Sequence, residues 1–304
     1  MAILSYLDDL SIMAVAQQTQ IYDNIRNQII ASRDTLDVLL EDCGEVYGFC
    51  ITENHALTEL YRFPVFVVRF SCSRIDTLHT PKQLDILCRL FQLLEKRMKR
   101  ERGYYNLRLP ANLMDCVQAY QKLTLPAIFC GGSVALLSHG AVPNLDSMIT
   151  CSVQEVSQDY LNQHYEELLS LTQESFRTYQ GQYHLSPVTA PLADRVYDNW
   201  IRTSLANLGN HRMIVAEQHD QAVGFGLLSY TDQVLELDLT AVSPSYRGQS
   251  IYRSMMAYMR ELSIQEHRSM ISCTQLDNYA SQNTWITVGL KPYFTFYNIH
   301  YNLL

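Results

Sequence analysis

The sequence of 304 residues lacks the patterns that usually mark metal and disulfide chemistry. Its eight cysteines are scattered, no two are separated by just two residues, and most lie in apolar stretches. Buried thiols in a reducing compartment fit this distribution better than a disulfide framework. The nine histidines show no spacing typical of metal ligands either. We therefore expect no bound metal.

Long apolar runs and extended basic runs are also missing. No apolar stretch approaches the roughly 20 residues of a membrane-spanning helix, and the first ten residues carry two aspartates without a basic signal-peptide region. The net charge is −8, and the densest basic stretch, at 96–102, is expected to be a solvated helix face. We expect a cytoplasmic protein with neither nucleic-acid nor membrane partners.

Glycine is scarce, with 12 residues, and two common phosphate loops are excluded. No lysine follows Gly248, as a P-loop requires, and residues 237–256 supply one glycine where a dinucleotide fingerprint needs three. This stretch predicts an aliphatic strand ending at Pro244, a short loop and an apolar-periodic helix. A strand end beside a helix N-terminus gathers free backbone N–H groups, so the stretch predicts an anion-binding loop.

The length predicts two domains, and 47% hydrophobic residues supply material for two cores. The junction is predicted at residues 140–146, which gives domains at 1–143 and 147–304. In the second domain the predicted elements are a strand at 148–156, a helix at 157–176, a loop at 180–191, a helix at 192–208, a hairpin at 213–218 and 223–230, a strand at 234–242, a helix at 251–267, a strand at 270–274, a helix from Asn278 and closing strands at 293–301.

The stretch at 237–256 resembles the acetyl-CoA loop of the GCN5-related N-acetyltransferases (the GNAT superfamily). In that family Arg/Gln-x-x-Gly-x-Gly/Ala follows a Val-x-Pro-x-Tyr strand end. Arg247 fits the first position, whereas Ser250 and Tyr252 occupy the two later small-residue positions. Asn278, followed by Gly289 eleven residues later, resembles the family's last helix and its closing turn. The resemblance implies an α/β (α+β) GNAT fold, with a mixed central sheet flanked by helices.

The resemblance also implies acetyl-CoA as the cosubstrate. Backbone N–H groups of Ala241, Val242 and Ser243 would hold the pantetheine arm and polarise the thioester carbonyl. The residues expected at the pyrophosphate are Arg247, Gly248, Gln249, Ser250, Ile251 and Tyr252. Asn278 would open the helix that lies beside the pantetheine arm.

Two carboxylates on the predicted strand are candidate general bases. Glu236 lies six residues before Val242, where several histone-type relatives carry their glutamate. Asp238 is two residues further on and is therefore expected on the same face of the sheet. Either carboxylate could accept the proton of the amine through water.

The family's usual acid, a tyrosine seven residues after the asparagine, is replaced here by Trp285. An indole N–H is too weak an acid to protonate a thiolate. Tyr297 is the candidate substitute, and the alternatives left open are Tyr293, His300, Tyr301 and water.

The C-terminal half, at 148–304, is similar to bacterial enzymes related to TDP-fucosamine N-acetyltransferase. The matching features are Phe176, Tyr183-His184, the helix segment at 197–205 that contains Trp200, and Thr-Gln-x-x-Asn at 274–278. The similarity implies an amino-sugar acceptor, with Tyr183, His184 and Trp200 as candidate substrate contacts.

The first domain shows, less distinctly, the order of strands and helices predicted for the second domain. Its predicted elements are a strand at 63–72, a helix at 81–102, a strand at 104–109, a helix at 111–123 and a closing strand or hairpin at 127–138. No glycine lies between Cys72 and Pro81, where a phosphate loop would fall. We expect a degenerate acetyltransferase-like domain; a plain α/β domain without this ancestry is the alternative.

The sequence thus predicts acetyl-CoA-dependent N-acetylation of a small-molecule primary amine, with a nucleotide-linked amino sugar as the best single candidate. Other acceptors left open are a polyamine, an amino acid derivative and a protein. The alternative from another class is a non-catalytic, CoA-binding regulatory protein. The first domain is expected to shape either the acceptor site or a homodimer.

Overall fold

The computed structural model describes residues 33–72, 81–111, 113–138, 144–177, 179–209 and 211–304. The strands are β1 (Val38–Asp42), β2 (Glu45–Glu53), β3 (Val65–Cys72), β4 (Tyr104–Pro110), β5 (Ala127–Ser138), β6 (Ser152–Val156), β7 (His211–Gln218), β8 (Gln221–Tyr230), β9 (Val234–Val242), β10 (Ser269–Gln275) and β11 (Leu290–Asn302). The α-helices are α1 (His55–Tyr61), α2 (Pro81–Arg100), α3 (Met114–Tyr120), α4 (Gln158–Gln163), α5 (Tyr165–Phe176), α6 (Gln182–Leu185), α7 (Ala193–Ala206), α8 (Ile251–Gln265) and α9 (Tyr279–Thr287).

These elements form two compact units that are not consecutive segments. The second unit consists of Val134–Gly181 and Ala190–Pro292, and the first takes in the described residues up to Ser133 with Gln182–Thr189 and Tyr293–Leu304. Helix α6 and most of β11 therefore belong to the first unit. The domain boundary expected between residues 143 and 147 stays a prediction, because the residues just before it lie outside the described part of the chain.

The sheet of the second unit has the strand order β5-β10-β9-β8-β7-β6. The pairs β6–β7, β7–β8 and β8–β9 are antiparallel, whereas β9 and β10 run parallel. Since parallel neighbours need a crossover, helix α8 connects β9 to β10.

Helices cover both faces of this sheet. On one face, Met255, Met256 and Met259 of α8 pack with Leu235 and Leu237 of β9. The other face carries a separate core, to which α5 and α7 contribute apolar side chains against β7, β8 and β9; it includes Leu168, Leu169, Ile201, Leu205, Met213, Phe225 and Leu239.

The first unit has the strand order β1-β2-β3-β4-β11-β5. Strands β3 and β4 pair in parallel, and helix α2 connects them. Strand β4 also pairs antiparallel with β11. Helix α2 is amphipathic, and its Phe91 ring lies 5.0 Å from the Phe49 ring of β2. The strand-helix-strand order predicted for the first domain is therefore present, with β1, β2 and α1 in addition.

The predicted α/β fold class, a mixed sheet flanked by helices, is confirmed. Several element boundaries were wrong. The helix expected at 157–176 is divided into α4 and α5 at His164, the loop expected at 180–191 contains α6, and the closing strands form one strand, β11. In the described part of the chain, no helix combines the length and apolarity needed to cross a membrane.

The packing of α8 on β8 generates a prediction for stability. Met259 is fully buried, and a Cβ added at Gly226 would lie 3.1 Å from the Met259 sulfur. Met259→Ala should lower the free energy of unfolding by about 2–5 kcal/mol in urea titrations, because it leaves a cavity. Ile264→Ala on the exposed side of α8 is the control and should change it by roughly 0.5 kcal/mol or less. Equal losses in both variants would contradict this packing.

Candidate active site

Strands β9 and β10 separate partway along their length. They pair only from Val234 with Ser269 to Leu237 with Ser272, although β9 continues to Val242. Among the described residues, β8 is the only strand that pairs with residues 238–242 of β9. The last pair is Val242 with Gly224. The edge of residues 238–242 on the β10 side therefore offers backbone N–H and C=O groups to a ligand.

A β-bulge lies at the point of separation. Leu228 pairs with Leu237 and Leu227 pairs with Leu239, so Asp238 is the extra residue on β9. The bulge changes which face the following side chains take. Leu237 packs in the core beneath α8, whereas Leu239 packs in the core on the opposite face.

The loop after β9 leads directly into helix α8. Residues Pro244–Tyr246 form a 3-10 turn, and Gly248 and Ser250 have φ angles of 79° and 63°. Ser250 is the N-cap residue of α8 but makes no side-chain capping bond; its Oγ accepts a hydrogen bond from Arg253 instead. The first N–H groups of α8 therefore have no capping side chain, and such groups bind phosphate readily.

Arg247 secures this loop to its surroundings. Its Nε donates to the Val242 carbonyl at 3.3 Å, and a terminal nitrogen donates to the Ser175 carbonyl at 3.2 Å. The Ser175 hydroxyl donates to the same Val242 carbonyl at 3.3 Å. The structure thus gives Arg247 a role in positioning the end of β9, and its expected contact with pyrophosphate stays a prediction.

Two departures from the family pattern, Tyr252 and Trp285, form a pair. The Trp285 indole N–H donates to the Tyr252 hydroxyl at 2.7 Å, and burial raises the pKa of Tyr252 to about 12. Tyr252 therefore packs against α9, and its ring fills space between α8 and α9.

Asn278 is the N-cap residue of α9. Its Oδ1 accepts from the Ser281 N–H at 3.3 Å, and its Nδ2 donates to Thr274 Oγ1 at 2.8 Å. This side chain fixes the start of α9 after β10, while its contact with the pantetheine arm stays a prediction.

Glu236 and Asp238 lie on β9 at the separation point. Glu236 is 0% exposed. The Asp238 side chain is 9% exposed, and its burial raises the pKa of the carboxyl group. Both side chains share a face with His211 of β7, because His211, Ser229 and Glu236 pair in register across three strands and Asp238 lies beside His211.

His211 is a residue that the sequence analysis did not identify. Its Nε2 lies 3.8 Å from Asp238 Oδ2, and its Nδ1 lies 2.9 Å from the Leu208 carbonyl. A carbonyl only accepts, so Nδ1 carries a hydrogen and donates it to Leu208, and Nε2 faces Asp238. The distance of 3.8 Å between Nε2 and Oδ2 is longer than a hydrogen bond, so a proton passing between the two groups would need a bridging water. The His211 side chain is 33% exposed and connects the buried carboxyl group to solvent.

The other predicted site residues are distributed over both units. Trp200 lies on α7 in the second unit and is partly exposed. Tyr183 and His184 lie on α6, and Tyr297 lies on β11, all within the first unit. The Tyr297 ring lies 5.6 Å from the Phe129 ring. Their roles as acceptor contacts and as acid stay predictions.

Comparison with known proteins identifies the class of the second unit. Residues 165–289 match the model of the acetyltransferase (GNAT) family. This segment contains the separated β9 and β10, the loop and helix α8, and it is the part of the second unit that is similar to a GNAT acetyltransferase domain. No curated protein matches the chain.

Solved structures extend the similarity to the fold of both units. An acetyltransferase of the GNAT family from Colwellia psychrerythraea is 11% identical, with a TM-score of 0.53, covering 92% of this chain and 96% of its own. A GCN5-related N-acetyltransferase from Sphaerobacter thermophilus is 9% identical, with a TM-score of 0.53 and coverages of 98% and 90%. A conserved protein of unknown function from Staphylococcus epidermidis ATCC 12228 is 15% identical, with a TM-score of 0.52 and coverages of 88% and 95%.

The residues present fit acetyl-CoA. The open edge of β9 can hydrogen-bond the amide groups of pantetheine, and the N-terminus of α8 can accept a pyrophosphate. Among the described residues, no group of three or more His, Cys, Asp or Glu side chains could hold a metal ion.

The pairing of Tyr252 with Trp285 can be tested by a double-mutant cycle. Tyr252→Phe leaves the buried indole N–H without its partner, so the free energy of unfolding should fall by about 1–3 kcal/mol. Trp285→Phe should also destabilise, and the double variant should lose less than the sum of the two. Urea titrations measure all three, and strictly additive losses would show that the hydrogen bond contributes nothing.

Proposed function

We propose that the protein transfers an acetyl group from acetyl-CoA to the primary amine of a small molecule. The observation that carries the proposal is the early end of β9–β10 pairing at Leu237 and Ser272, directly before the loop into α8. The open strand edge suits the pantetheine arm, and the helix N-terminus suits the pyrophosphate. Bound acetyl-CoA would supply a thioester for attack by the amine and a thiolate leaving group.

Backbone groups would provide most of the positioning. The N–H groups of residues 241–243 would hold pantetheine and polarise the thioester carbonyl, and those of residues 248–252 would face the pyrophosphate. Such fixed donors stabilise developing charge without reorganisation. Arg247 and Ser175 support this arrangement, because both hold the Val242 carbonyl at the end of β9.

Asp238 is the base that the geometry favours, with Glu236 as the second candidate. A carboxyl group whose pKa is raised by burial is a better proton acceptor near neutral pH. His211 would then pass the proton to solvent through a bridging water, since its Nε2 lies 3.8 Å from Asp238 Oδ2 and its side chain is partly exposed. Tyr252 is a poor acid at its raised pKa of about 12, so Tyr297 or water would protonate the thiolate.

The acceptor is the least constrained part of the proposal. A nucleotide-linked amino sugar is the best candidate, supported by the sequence similarity around Tyr183, His184 and Trp200. Polyamines, amino acid derivatives and proteins are the competing acceptors. A CoA-binding regulator without activity would have the same strand edge and loop. Only a measurement of turnover distinguishes such a regulator from an enzyme.

Release of free thiol from acetyl-CoA tests the reaction against TDP- and UDP-amino sugars, polyamines and amino acids.

Arg247→Ala should weaken acetyl-CoA binding about tenfold in calorimetry, which corresponds to about 1.4 kcal/mol, because the end of β9 loses its support. Arg195→Ala, at an exposed position of α7, is the matched control. Unchanged affinity in Arg247→Ala would exclude this loop as the binding site, and binding without thiol release would favour the regulator.

The pair of Asp238 and His211 predicts a specific pH dependence. Asp238→Asn should lower kcat by roughly 100-fold, as expected for loss of a general base. Burial raises the pKa of Asp238, and the charge of a protonated His211 lowers it. His211→Asn should therefore raise that pKa and move the acidic limb of the kcat/KM profile to higher pH.

His219→Asn is the control for the pH profile. His219 lies in the turn between β7 and β8 with a φ of 52°, a conformation that asparagine tolerates. Its profile should match the wild type. An acidic limb that does not move in His211→Asn would remove His211 from the proton path.

A further inference from the structure

Ser229 is the residue of β8 that lies between His211 and the carboxyl groups of β9. It pairs with His211 on one side and with Glu236 on the other. Paired residues share a face of the sheet, and Asp238 joins this face at the bulge. Helices α5 and α7 contribute aliphatic and aromatic side chains to the core on the same face, so core packing alone does not explain a serine here.

Asp238 and His211 approach each other across β8. Adjacent strands lie about 4.8 Å apart, so β7 and β9 are separated by roughly 10 Å. His211 Nε2 nevertheless lies 3.8 Å from Asp238 Oδ2. The two side chains must therefore reach over β8, where Ser229 is the residue paired with His211. The short side chain of serine leaves room for this approach, which a large side chain at position 229 would fill.

The Ser229 hydroxyl is buried and needs an acceptor. The residue is 6% exposed, and its Oγ has no hydrogen-bond partner of normal length among the described residues. The same holds for Asp238 Oδ2. A buried hydroxyl without an acceptor costs free energy, and so does a buried carboxylate without a donor. A hydrogen bond between these two neighbouring groups would satisfy both.

Such a hydrogen bond also affects the ionisation of Asp238. Burial raises the pKa of Asp238, whereas hydrogen bonding by Ser229 lowers it, because the bond favours the ionised carboxylate. His211 of β7 and Glu236 of β9 are titratable neighbours that share this face. The charge of a protonated His211 lowers the pKa as well. Ser229 thus opposes the effect of burial at every pH, since its hydroxyl does not titrate.

We propose that Ser229 is a positioning residue for the general base: its hydroxyl donates to the Asp238 carboxylate and holds this group within reach of His211. The role rests on the proposed function, because Asp238 is the base there. Ser229 acts through Asp238, so it should change the ionisation of that carboxyl group and leave acetyl-CoA binding unchanged.

Carbon-13 NMR of the Asp238 carboxyl group tests the hydrogen bond without any need for turnover. The full chain is labelled at the aspartate carboxyl carbons and titrated, and Asp238→Asn assigns the signal. Ser229→Ala should raise the pKa of Asp238 by about one unit, the effect expected when a charged group loses one hydrogen bond.

A matched pair of variants separates the hydroxyl from the volume of the side chain. Ser229→Thr and Ser229→Val have nearly the same shape, and only the threonine variant should keep the wild-type pKa of Asp238. Ser229→Ala adds no volume, so it decides the question if either larger variant fails to fold. An Asp238 pKa that is the same in Ser229→Ala as in the wild type would overturn the proposal.

The pH dependence of thiol release shows whether the hydrogen bond serves catalysis. Asp238 accepts a proton only when ionised, so Ser229→Ala should move the acidic limb of kcat/KM about one pH unit higher. The KM for acetyl-CoA should stay the same. In an Asp238→Asn background, Ser229→Ala should have no further effect on kcat.

The outcomes separate this role from the proposed function. An equal fall in kcat in both backgrounds would indicate a merely structural role for Ser229 and overturn the proposal. A wild-type protein that releases no thiol with any acceptor would count against the proposed function, whereas a raised Asp238 pKa in Ser229→Ala would still support the hydrogen bond.

Discussion

The separation of β9 from β10 after Leu237 is the constraint on which the second unit depends. Four residue pairs hold the two parallel strands together, and beyond them β9 keeps a partner only in β8 among the described residues. The bulge at Asp238 coincides with this point and reverses the facing of the residues that follow. One local irregularity therefore exposes a strand edge and places a carboxyl group beside it. A regular ladder would do neither.

The loop after β9 shows how a family pattern can change while its geometry is kept. Tyrosine at position 252 would crowd a tight phosphate loop, but its hydroxyl is held by Trp285 and its ring packs away from the loop. Trp285 occupies the position of the family's usual acid and cannot fill that role. Instead, its indole N–H holds the hydroxyl of Tyr252, the other departure from the family pattern. Position 252 and position 285 are therefore best understood as one coupled change.

The order of elements in both units was predictable because hydrophobic periodicity and turn residues are local properties. Strand β9, its loop and helix α8 lie within a residue or two of their predicted bounds. Helix α6 was missed because four residues carry too little periodicity. The bulge at Asp238 and the neighbour His211 were not predictable, since register between strands distant in sequence is decided by packing. The grouping of Tyr293–Leu304 with the first unit depends on strand pairing for the same reason.

A buried polar group needs a partner for its hydrogen bonds or its charge, and the two units differ in how far they supply one. Asp238 has a neighbour, His211, whose Nε2 lies 3.8 Å away and whose side chain is 33% exposed. In the first unit, Asn106 on β4 and Asn298 on β11 each donate one hydrogen bond, to Gln182 and Ser133, while their side-chain carbonyl oxygens have no partner among the described residues. Burying a polar atom without a partner costs free energy, so these two oxygens make this part of the first unit less favourable than an apolar core would be.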